Sequence, residues 1–524
     1  LPGEHVLDVP NRWTPATLPL TRLYRQMLLD TSEVLPWRDT EGELLKSAFS
    51  MQKYVSVLGD LEREGVTPTE AAVQIPRRMA DYKNEPRLPL TLAFPGVAPA
   101  HTSRLRKATE GQDDRVATPE DSGIENSAIS FIATHRSMSE DSVGLVGAEI
   151  PMEMFIGLAE LEKHWTLKPS GKAIKSLLRR INKAAEPIWT EDLVKAIQRA
   201  SSLSVLSNFP IGILTLPGDS SPLSCRLPIS YSALLPLTRT LQSELNGDRH
   251  VDLTAGFKVL VAECVPATDP IGQLSRAGWE SVEATFRGQG TASTIELIEV
   301  TSLEDLRVAL SKTKPEILVI SAHGFSTASA AGIVIGKEAV LAQDLGALPP
   351  VVIMSACHVS PRGRGELSIV DLLERQGALA VLGTQVPVDV RRNALLMLRF
   401  FLYLNEVIAG RGGQKSVLDV WQHVQCLNAV NDIAASNDRF ASWIVSPHTT
   451  GISVLAEFMS VRARGGLRGG SVYEDTERLL LELAEEQGMA SQVRGWMTSP
   501  GYIPESLFYN FMGRPGNVWL KPPT

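Results

Sequence analysis

The pattern of apolar and polar positions divides the chain into two parts. Up to residue 98, and again over residues 150–205, apolar residues recur mainly at helical spacing. Beyond residue 206, short runs of mostly β-branched residues alternate with helical stretches. Such alternation predicts parallel βαβ units with right-handed crossovers. We therefore predict an α/β fold, in which helices flank a mostly parallel sheet and a mainly helical region precedes it.

The predicted elements of the second part follow one another closely. Strands are predicted at residues 211–216, 257–265, 295–300, 317–320, 351–354 and 378–383, with a small hairpin at 333–341. Helices are predicted at residues 270–286, 368–376, 391–409 and 416–435. A further helix begins after Ser302, which is the expected N-cap, with Asp305 at the third helical position.

Shifts in composition suggest five segments. Residues 1–98 form the N-terminal helical region, and residues 99–149, rich in Thr, Ser, Asp and Gly, form a flexible linker. Residues 150–205 are a helical segment leading into the α/β domain, which spans 206–452. Residues 453–524 are a tail with one helix, and their glycine-rich loop at 465–470 is interpreted as a hinge.

Composition narrows the class of protein. The chain has 524 residues, 44% hydrophobic and 21% charged, as expected of a soluble globular protein with several structural units. Its net charge of −8 argues against nucleic-acid binding, and no apolar run is long enough to span a membrane. Four widely spaced cysteines predict neither disulfides nor a metal site, so a reducing cytoplasm is expected. Because the sequence begins at Leu1, we expect a fragment or a processed product.

A His and a Cys each follow one of the short apolar runs. The runs at 317–320 and 351–354 lead into Ser-Ala-His-Gly, which contains His323, and Ser-Ala-Cys-His, which contains Cys357. Catalytic groups of open α/β sheets collect beyond the carboxyl ends of the strands. Neighbouring strands would bring the two side chains together, as a cysteine nucleophile with a histidine base requires. The alternative is a small buried Cys and a satisfied buried His.

The stretch from about residue 209 to 452 resembles a CHAT domain, a branch of the caspase–separase clan of cysteine peptidases. The matching residues lie at 320–324, 354–357, 363–366, 377–383 and 386–389. They agree with the family in order and spacing, and the resemblance covers slightly under half of the chain. It implies a caspase-like fold, a catalytic dyad of His323 and Cys357, and no cofactor. His358 departs from the family, whose members more often carry an acidic or other polar residue there.

In this dyad, His323 would accept the Cys357 proton and later protonate the leaving amine. A thiol with a pKa of about 8.5 is mostly protonated at neutral pH and needs this activation. We predict an oxyanion hole made by the backbone N–H groups of Gly324 and Cys357. His358 is a rival base, but adjacent strand residues point to opposite faces, so it should project away from the thiol. The other cysteines are predicted to be structural: Cys225, Cys264 and Cys426.

The resemblance also bears on specificity. In related peptidases the residue two before the Cys often lines the pocket for the side chain preceding the cleaved bond, and an acidic residue there selects Lys or Arg. Here this residue is Ser355, small and neutral, whereas Glu366 and Asp389 are candidates for negative charge nearby. We predict a small or apolar residue before the cut, with a basic residue as the alternative.

The resemblance implies a cysteine endopeptidase that cleaves a specific protein partner after a trigger. Similar proteins are often bacterial, are tied to antiviral defence or regulated cell death, and cleave a dedicated protein such as a pore-forming gasdermin. We therefore expect an operon-encoded, gasdermin-like protein substrate and an activating protein or small ligand, with no membrane partner and no direct nucleic-acid binding. The alternative is a catalytically silent CHAT-like scaffold, binding or sensor module.

Overall fold

The structure, a computed structural model, describes most of the chain beyond residue 86. The described residues are 61, 65, 87–96, 119–140, 142–167, 171–219, 222–234, 237–245, 249–288, 292–326, 331–356, 359–363, 368–428, 432, 438–463, 472–497 and 505–521. The helical prediction for the first 86 residues therefore falls almost entirely outside the described residues, as does the glycine-rich loop at 465–470.

Fifteen strands lie within the described residues. They are β1 Leu88–Phe94, β2 Val143–Val146, β3 Ala200–Ser207, β4 Ile229–Ser232, β5 Val251–Asp252, β6 Lys258–Glu263, β7 Thr294–Glu299, β8 Ile317–Ser321, β9 His323–Ser326, β10 Ala331–Ile335, β11 Glu338–Leu341, β12 Val351–Ser355, β13 Ala380–Thr384, β14 Tyr509–Gly513 and β15 Val518–Trp519. Ten of them form the main sheet, in the order β2-β1-β3-β4-β14-β13-β12-β8-β6-β7.

The main α-helices of the described residues surround this sheet or follow it in the chain. They are α1 Pro119–Ser139, α2 Met152–Leu167, α3 Gly171–Ala184, α4 Glu191–Gln198, α5 Leu237–Leu245, α6 Pro270–Arg287, α7 Leu303–Thr313, α8 Ile369–Arg375, α9 Val390–Ile408, α10 Val417–Leu427, α11 Asp438–Ile444, α12 Val454–Ala463, α13 Val472–Glu486 and α14 Ala490–Met497. Within the part of the chain that is described, no helix has the length and apolar character needed to cross a bilayer.

The main sheet consists of two parallel blocks. Strands β2, β1, β3, β4 and β14 run parallel to one another, and so do β13, β12, β8, β6 and β7. The blocks meet antiparallel, where Thr384 of β13 pairs with Tyr509 of β14. The predicted α/β fold, with helices around a mostly parallel sheet, is therefore confirmed.

Helices cover both faces of the sheet. Because successive strand residues point to opposite faces, Leu318 and Val352 belong to one apolar core and Val319 and Ile353 to the other. The first core contains residues of α2, α3, α4 and α8, and the second contains residues of α6, α9 and α10. Burial on both sides explains why β8 and β12 are almost continuously apolar in sequence.

Several predicted elements match the structure. The strands at 257–265, 295–300, 317–320, 351–354 and 378–383 are present as β6, β7, β8, β12 and β13, and the hairpin at 333–341 is β10 and β11. Helices α6, α7, α8 and α9 lie where the sequence predicts them. Ser302 caps α7, since its hydroxyl accepts a hydrogen bond from the Asp305 N–H at 3.2 Å.

The strand predicted at 211–216 is wrong. Residues Ile211–Ile213 form a buried 3-10 turn after Pro210. The Gly212 N–H donates to the Tyr231 hydroxyl at 3.0 Å, and a Cβ at Gly212 would lie 2.1 Å from that oxygen. The apolar run is therefore buried as a turn. The strand of this region is β3, where serines alternate with apolar residues inside the segment predicted to be helical.

The first block of the sheet also contains regions predicted to be something else. Residues 88–94, predicted within a helical region that ends in an extended connection, form the buried strand β1. The predicted linker at 99–149 contains α1 and β2, although residues 97–118 lie outside the described residues. The polar composition of this segment predicted a linker. It did not reveal α1 and β2, because these elements need only a few apolar side chains to pack against β1.

The region beyond residue 452 is more than a tail with one helix. The acidic helix predicted near 473–487 is present as α13, but α12 and α14 flank it and share an apolar core with α11. β14 then returns to the middle of the main sheet and joins the two blocks. The sheet therefore extends on both sides of the interval 206–452, because its strands come from residues 88 to 513.

Candidate active site

His323 stands just beyond the carboxyl end of β8. The neighbouring strand β12 is parallel to β8, and their last residues, Ser321 and Ser355, are partners in the register. His323 follows the first serine by two positions, and Cys357 follows the second by two positions in the sequence. Cys357 and His358 lie outside the described residues. The register thus aligns the two strand ends from which the predicted dyad continues.

The imidazole of His323 is held by a carboxylate that the sequence analysis did not single out. Nε2 of His323 lies 3.1 Å from Oδ2 of Asp269, and the two side chains are 42% and 34% exposed. Asp269 is also the N-cap of α6, where its Oδ1 accepts the Ile271 N–H at 2.8 Å. These hydrogen bonds, first from Ile271 and then from His323, lower the pKa of Asp269.

The hydrogen bond to Asp269 determines which imidazole nitrogen is available. An ionised carboxylate can only accept hydrogen bonds, so Nε2 of His323 carries the hydrogen and donates a hydrogen bond to Asp269. Nδ1 of His323 then carries the lone pair. A thiol proton would therefore transfer to Nδ1, while the carboxylate stabilises the imidazolium that forms.

A buried polar network lies beneath the end of β8. Glu263, which pairs with Ser321 at the end of β6, accepts hydrogen bonds from the hydroxyls of Ser275 at 2.6 Å and Ser321 at 3.1 Å. The Val265 N–H donates to the same carboxylate at 3.1 Å. Burial raises the pKa of Glu263. The network fixes α6, and with it Asp269, to the strand that precedes His323.

A second polar network lies beneath the end of β12. Asn393 of α9 donates from Nδ2 to the Ser355 hydroxyl at 2.7 Å and accepts from the Tyr509 hydroxyl at 3.0 Å. The Thr384 hydroxyl donates to the carbonyl oxygen of Ala356 at 2.8 Å. These contacts hold the backbone and the strand end that lead directly to Cys357.

The segment that follows Cys357 is held by α2. The buried carboxylate of Glu162 accepts the N–H of Arg362 at 2.8 Å and the N–H of Gly363 at 3.1 Å. Gly363 lies so close to α2 that a Cβ there would be 2.3 Å from the Ala159 nitrogen. Arg362 in turn forms a bidentate ion pair with Asp371 of α8, at 2.7 and 3.0 Å. Residues on both sides of Cys357 are thus fixed by buried polar contacts.

The predicted substrate-pocket residues have different environments. Ser355 is partly buried, and its hydroxyl is engaged by Asn393. Asp389 is the N-cap of α9, where its Oδ1 accepts the N–H groups of Arg391 and Arg392, both at 3.0 Å. One oxygen of the Asp389 carboxylate, Oδ1, is therefore engaged by its helix. Glu366 lies outside the described residues.

Gly324, predicted to serve the oxyanion hole, lies in β9 and pairs with Ile333 of β10. β9 belongs to a three-stranded sheet with β10 and β11, which branches from the end of β8. The backbone of Gly324, next to His323, therefore belongs to a strand that is paired with β10. The oxyanion-hole role of Gly324 and Cys357 stays a prediction.

The other cysteines are buried in apolar surroundings. Burial raises the pKa of Cys264 to about 12, and a hydrogen bond with Cys426 together with burial raises the pKa of Cys225. Thiols held protonated in this way are poor nucleophiles. Within the described ranges, no group of three or more His, Cys, Asp or Glu side chains could hold a metal ion.

Three residues of the site were not predicted: Asp269, Asn393 and Glu162. The Asp-Pro pair that opens α6 is a sequence signal for a helix start, but it does not show that the carboxylate faces His323. Asn393 and Glu162 carry no local signal. Their contacts depend on how α9 and α2 pack against the sheet.

Comparisons with known proteins match the part of the chain that contains β8 and β12. Residues 202–422 match the family model described as CHAT domain. A search of curated proteins finds no match.

Solved structures with similar folds include two cysteine proteases. The Arg-specific cysteine proteinase gingipain R is 8% identical, with a TM-score of 0.33 over 83% of this chain and 79% of that chain. The Saccharomyces cerevisiae separase in its complex with securin is 11% identical, with a TM-score of 0.32 over 78% of this chain and 34% of that chain. This chain therefore spans about a third of the separase chain. The residues that match the CHAT domain model include β8, β9 and β12, and with them His323.

Proposed function

We propose that this protein is a cysteine endopeptidase in which Cys357 is the nucleophile and His323 the base. The observation that carries the proposal is the contact of His323 Nε2 with Asp269, at 3.1 Å, just beyond the end of β8. A merely structural histidine at this position needs no carboxylate to fix its tautomer. The register between Ser321 and Ser355 supports the same pairing of His323 with Cys357.

The proposed reaction has the usual steps of cysteine peptidases. Nδ1 of His323 takes the proton of the Cys357 thiol, and the sulfur attacks the carbonyl carbon of the scissile peptide bond. Backbone N–H groups, those of Gly324 and Cys357 in our proposal, stabilise the oxyanion. The imidazolium then protonates the leaving amine and leaves a thioester on Cys357. Water, deprotonated by His323, hydrolyses the thioester and restores the thiol.

The proposed substrate is a dedicated protein partner. The resemblance to CHAT peptidases supports a gasdermin-like protein encoded in the same operon, and a role in antiviral defence or regulated cell death in the cytoplasm after a trigger. For the residue before the cut, the neutral environment of Ser355 supports a small or apolar side chain.

The proposal is tested by co-expressing proteins from the same operon with the wild type, Cys357→Ala or Cys264→Ala. We expect one protein to be cut by the wild type and by Cys264→Ala, and to stay intact with Cys357→Ala. Cleavage that persists in Cys357→Ala would overturn the assignment of the nucleophile. If no protein is cut and Cys357 fails to react with a peptide electrophile even after cell lysate is added, the domain is a binding module instead.

A further inference from the structure

A cavity of about 450 Å³ lies away from the two catalytic strand ends, between the first block of the main sheet, the start of α10 and the segment 514–521. This volume is within the range typical of small-molecule sites. Strands β3 and β4 form part of its wall through Ser202, Ser204 and Ser230. Three cations also line it: Lys415, Arg514 and Lys521.

The side chains on one face of the main sheet change from apolar to polar where this cavity opens. One register row crosses the main sheet, and all its members belong to one face. In the second block and β14 the row is apolar and buried against α6, α9 and α10: Val261, Val319, Ile353, Leu382 and Phe511. In β4, β3 and β1 the same row continues as hydroxyls: Ser230, Ser204 and Thr91. A buried sheet face that served packing alone would stay apolar.

Two of these hydroxyls have no hydrogen-bond partner among the described residues. Ser204 and Ser230 are 7% and 4% exposed, both line the cavity, and neither side chain makes a hydrogen bond within the described part of the chain. Thr91, by contrast, is bonded to the Ser142 hydroxyl at 2.6 Å and does not line the cavity. Neither hydroxyl oxygen is among the polar atoms that are closed off from solvent, so both open into the cavity and can bond to a ligand or to water there.

The charges around the cavity favour an anion. Besides the three cations, two carboxylates line it, and both are engaged elsewhere: Glu140 with Arg136 at 3.3 Å, and Asp419 with the N–H groups at the start of α10. Arg514 is paired with Glu244 at 2.9 Å. The Lys521 ammonium donates to the Gly412 carbonyl oxygen, and no ion pair of Lys521 is found among the described residues.

We propose that this cavity binds a sugar phosphate. The hydroxyls of Ser204 and Ser230 would exchange hydrogen bonds with the sugar hydroxyls, and Lys521 and Lys415 would contact the phosphate oxygens, which suit cationic donors. The sugar of such a ligand matches the serine hydroxyls of the lining, and its phosphate matches the cations of the lining. The proposal is independent of the peptidase activity.

Thermal unfolding and calorimetric titration with ribose 5-phosphate, glucose 6-phosphate and AMP test the proposal, with ribose and inorganic phosphate as separate halves. We expect at least one sugar phosphate to raise the Tm by a few degrees at millimolar concentration and to bind at least tenfold more tightly than either half. If none of the three binds, the proposal is overturned. Equal affinity for inorganic phosphate would also overturn it, because the hydroxyls would then play no part.

Two variants locate the site. Ser204→Ala/Ser230→Ala should weaken binding by about tenfold or more and leave the Tm without ligand unchanged or higher, since it removes hydroxyls that have no partner. Thr91→Val, in the same row but bonded and outside the lining, should lower the Tm and keep the affinity. Full affinity in the double variant would show that the ligand binds elsewhere and would refute the site.

Discussion

Asp269 has two structural roles with one carboxylate: Oδ1 caps α6 and Oδ2 faces His323. Asn is as good an N-cap as Asp, so Asp269→Asn separates the two roles. The amide of the variant accepts a weaker hydrogen bond from Nε2 of His323 than the carboxylate does. Its NH2 group can instead donate to Nε2, which favours the tautomer that carries the hydrogen on Nδ1. We expect kcat to fall by about 10- to 10⁴-fold with little change in Tm.

The split between kcat and KM in Asp269→Asn distinguishes orientation of His323 from a merely structural effect. Because the amide still caps α6 but no longer fixes the tautomer of His323, kcat should fall while KM stays within about twofold. Ser302→Asn, at the N-cap of α7, is the matched control and should leave both kcat and KM unchanged. An Asp269→Asn enzyme with the wild-type rate would remove Asp269 from the mechanism.

Ser355 offers a test of specificity. An aspartate at this position could still accept the Asn393 amide hydrogen and would add a negative charge at the proposed pocket. Ser355→Asp should therefore shift the preferred residue before the cut towards Lys or Arg, by about tenfold or more in relative kcat/KM. Profiling with peptide libraries measures the shift. Ser355→Asn, which adds bulk without charge, should show no gain for basic residues; an equal gain would locate the pocket elsewhere.

At the scale of elements, α2 is attached to the segment after Cys357. Glu162→Gln keeps the length of the side chain but loses the charge that holds two backbone N–H groups. We expect a loss of about 1–3 kcal/mol in stability and a several-fold lower rate. Glu160→Gln, on the same helix and paired only on the surface with Arg180, should change stability by less than about 0.5 kcal/mol. Equal effects from both variants would mean that the contact with α2 does not position the loop.

The elements of the second block could be predicted from sequence because their signals are local. β8 and β12 are apolar runs that end in turn residues, and Ser302 followed by Asp305 marks the start of α7. β3 and β14 could not be found in this way. β3 alternates serine with apolar residues because one of its faces borders a polar cavity, and β14 is recognisable only through its long-range pairing with β13 and β4.

The same limit applies to the candidate site. The position of His323 just beyond β8 was predictable because that strand has a clear apolar pattern, and the dyad with Cys357 stays a prediction. Asp269 and Asn393 reach the site from helices, across contacts that join residues distant in the chain. Side chains placed by helix packing leave no periodic signal in the sequence.

For the whole molecule, Phe511 of β14 tests whether the two blocks unfold together. Its ring is 1% exposed and packs near Phe400 and Trp421, with ring centres 6.5 and 6.1 Å apart. Phe511→Ala should lower the free energy of unfolding by about 3–5 kcal/mol. If the two blocks unfold together, denaturant titration should still show one transition, shifted to a lower denaturant concentration. Phe131→Ala, at a ring that is 52% exposed, is the control and should change little. Two separate transitions in Phe511→Ala would mean that the blocks are independent.

Stability should also depend on pH through Glu263. Burial raises the pKa of this carboxyl above its value in the unfolded chain, so the folded state retains the proton more strongly. The stability that protonated Glu263 contributes is therefore lost as the pH rises from the pKa of this carboxyl in the unfolded chain through its pKa in the folded protein. In Glu263→Gln the amide stays neutral, so the Tm of the variant relative to wild type should rise from pH 4.5 to pH 8. A constant difference across this range would assign the effect to lost hydrogen bonds instead.

The position of β14 has a consequence for folding during synthesis. The strands that precede His323 and Cys357 are translated well before residues 509–513, yet β13 has an unpaired edge until β14 arrives. A nascent chain therefore exposes a sheet edge beside β12 and β8, and such edges are prone to pair with other chains. The two blocks cannot join until β14 has left the ribosome. The proposed cleavage of other proteins would begin only after that point.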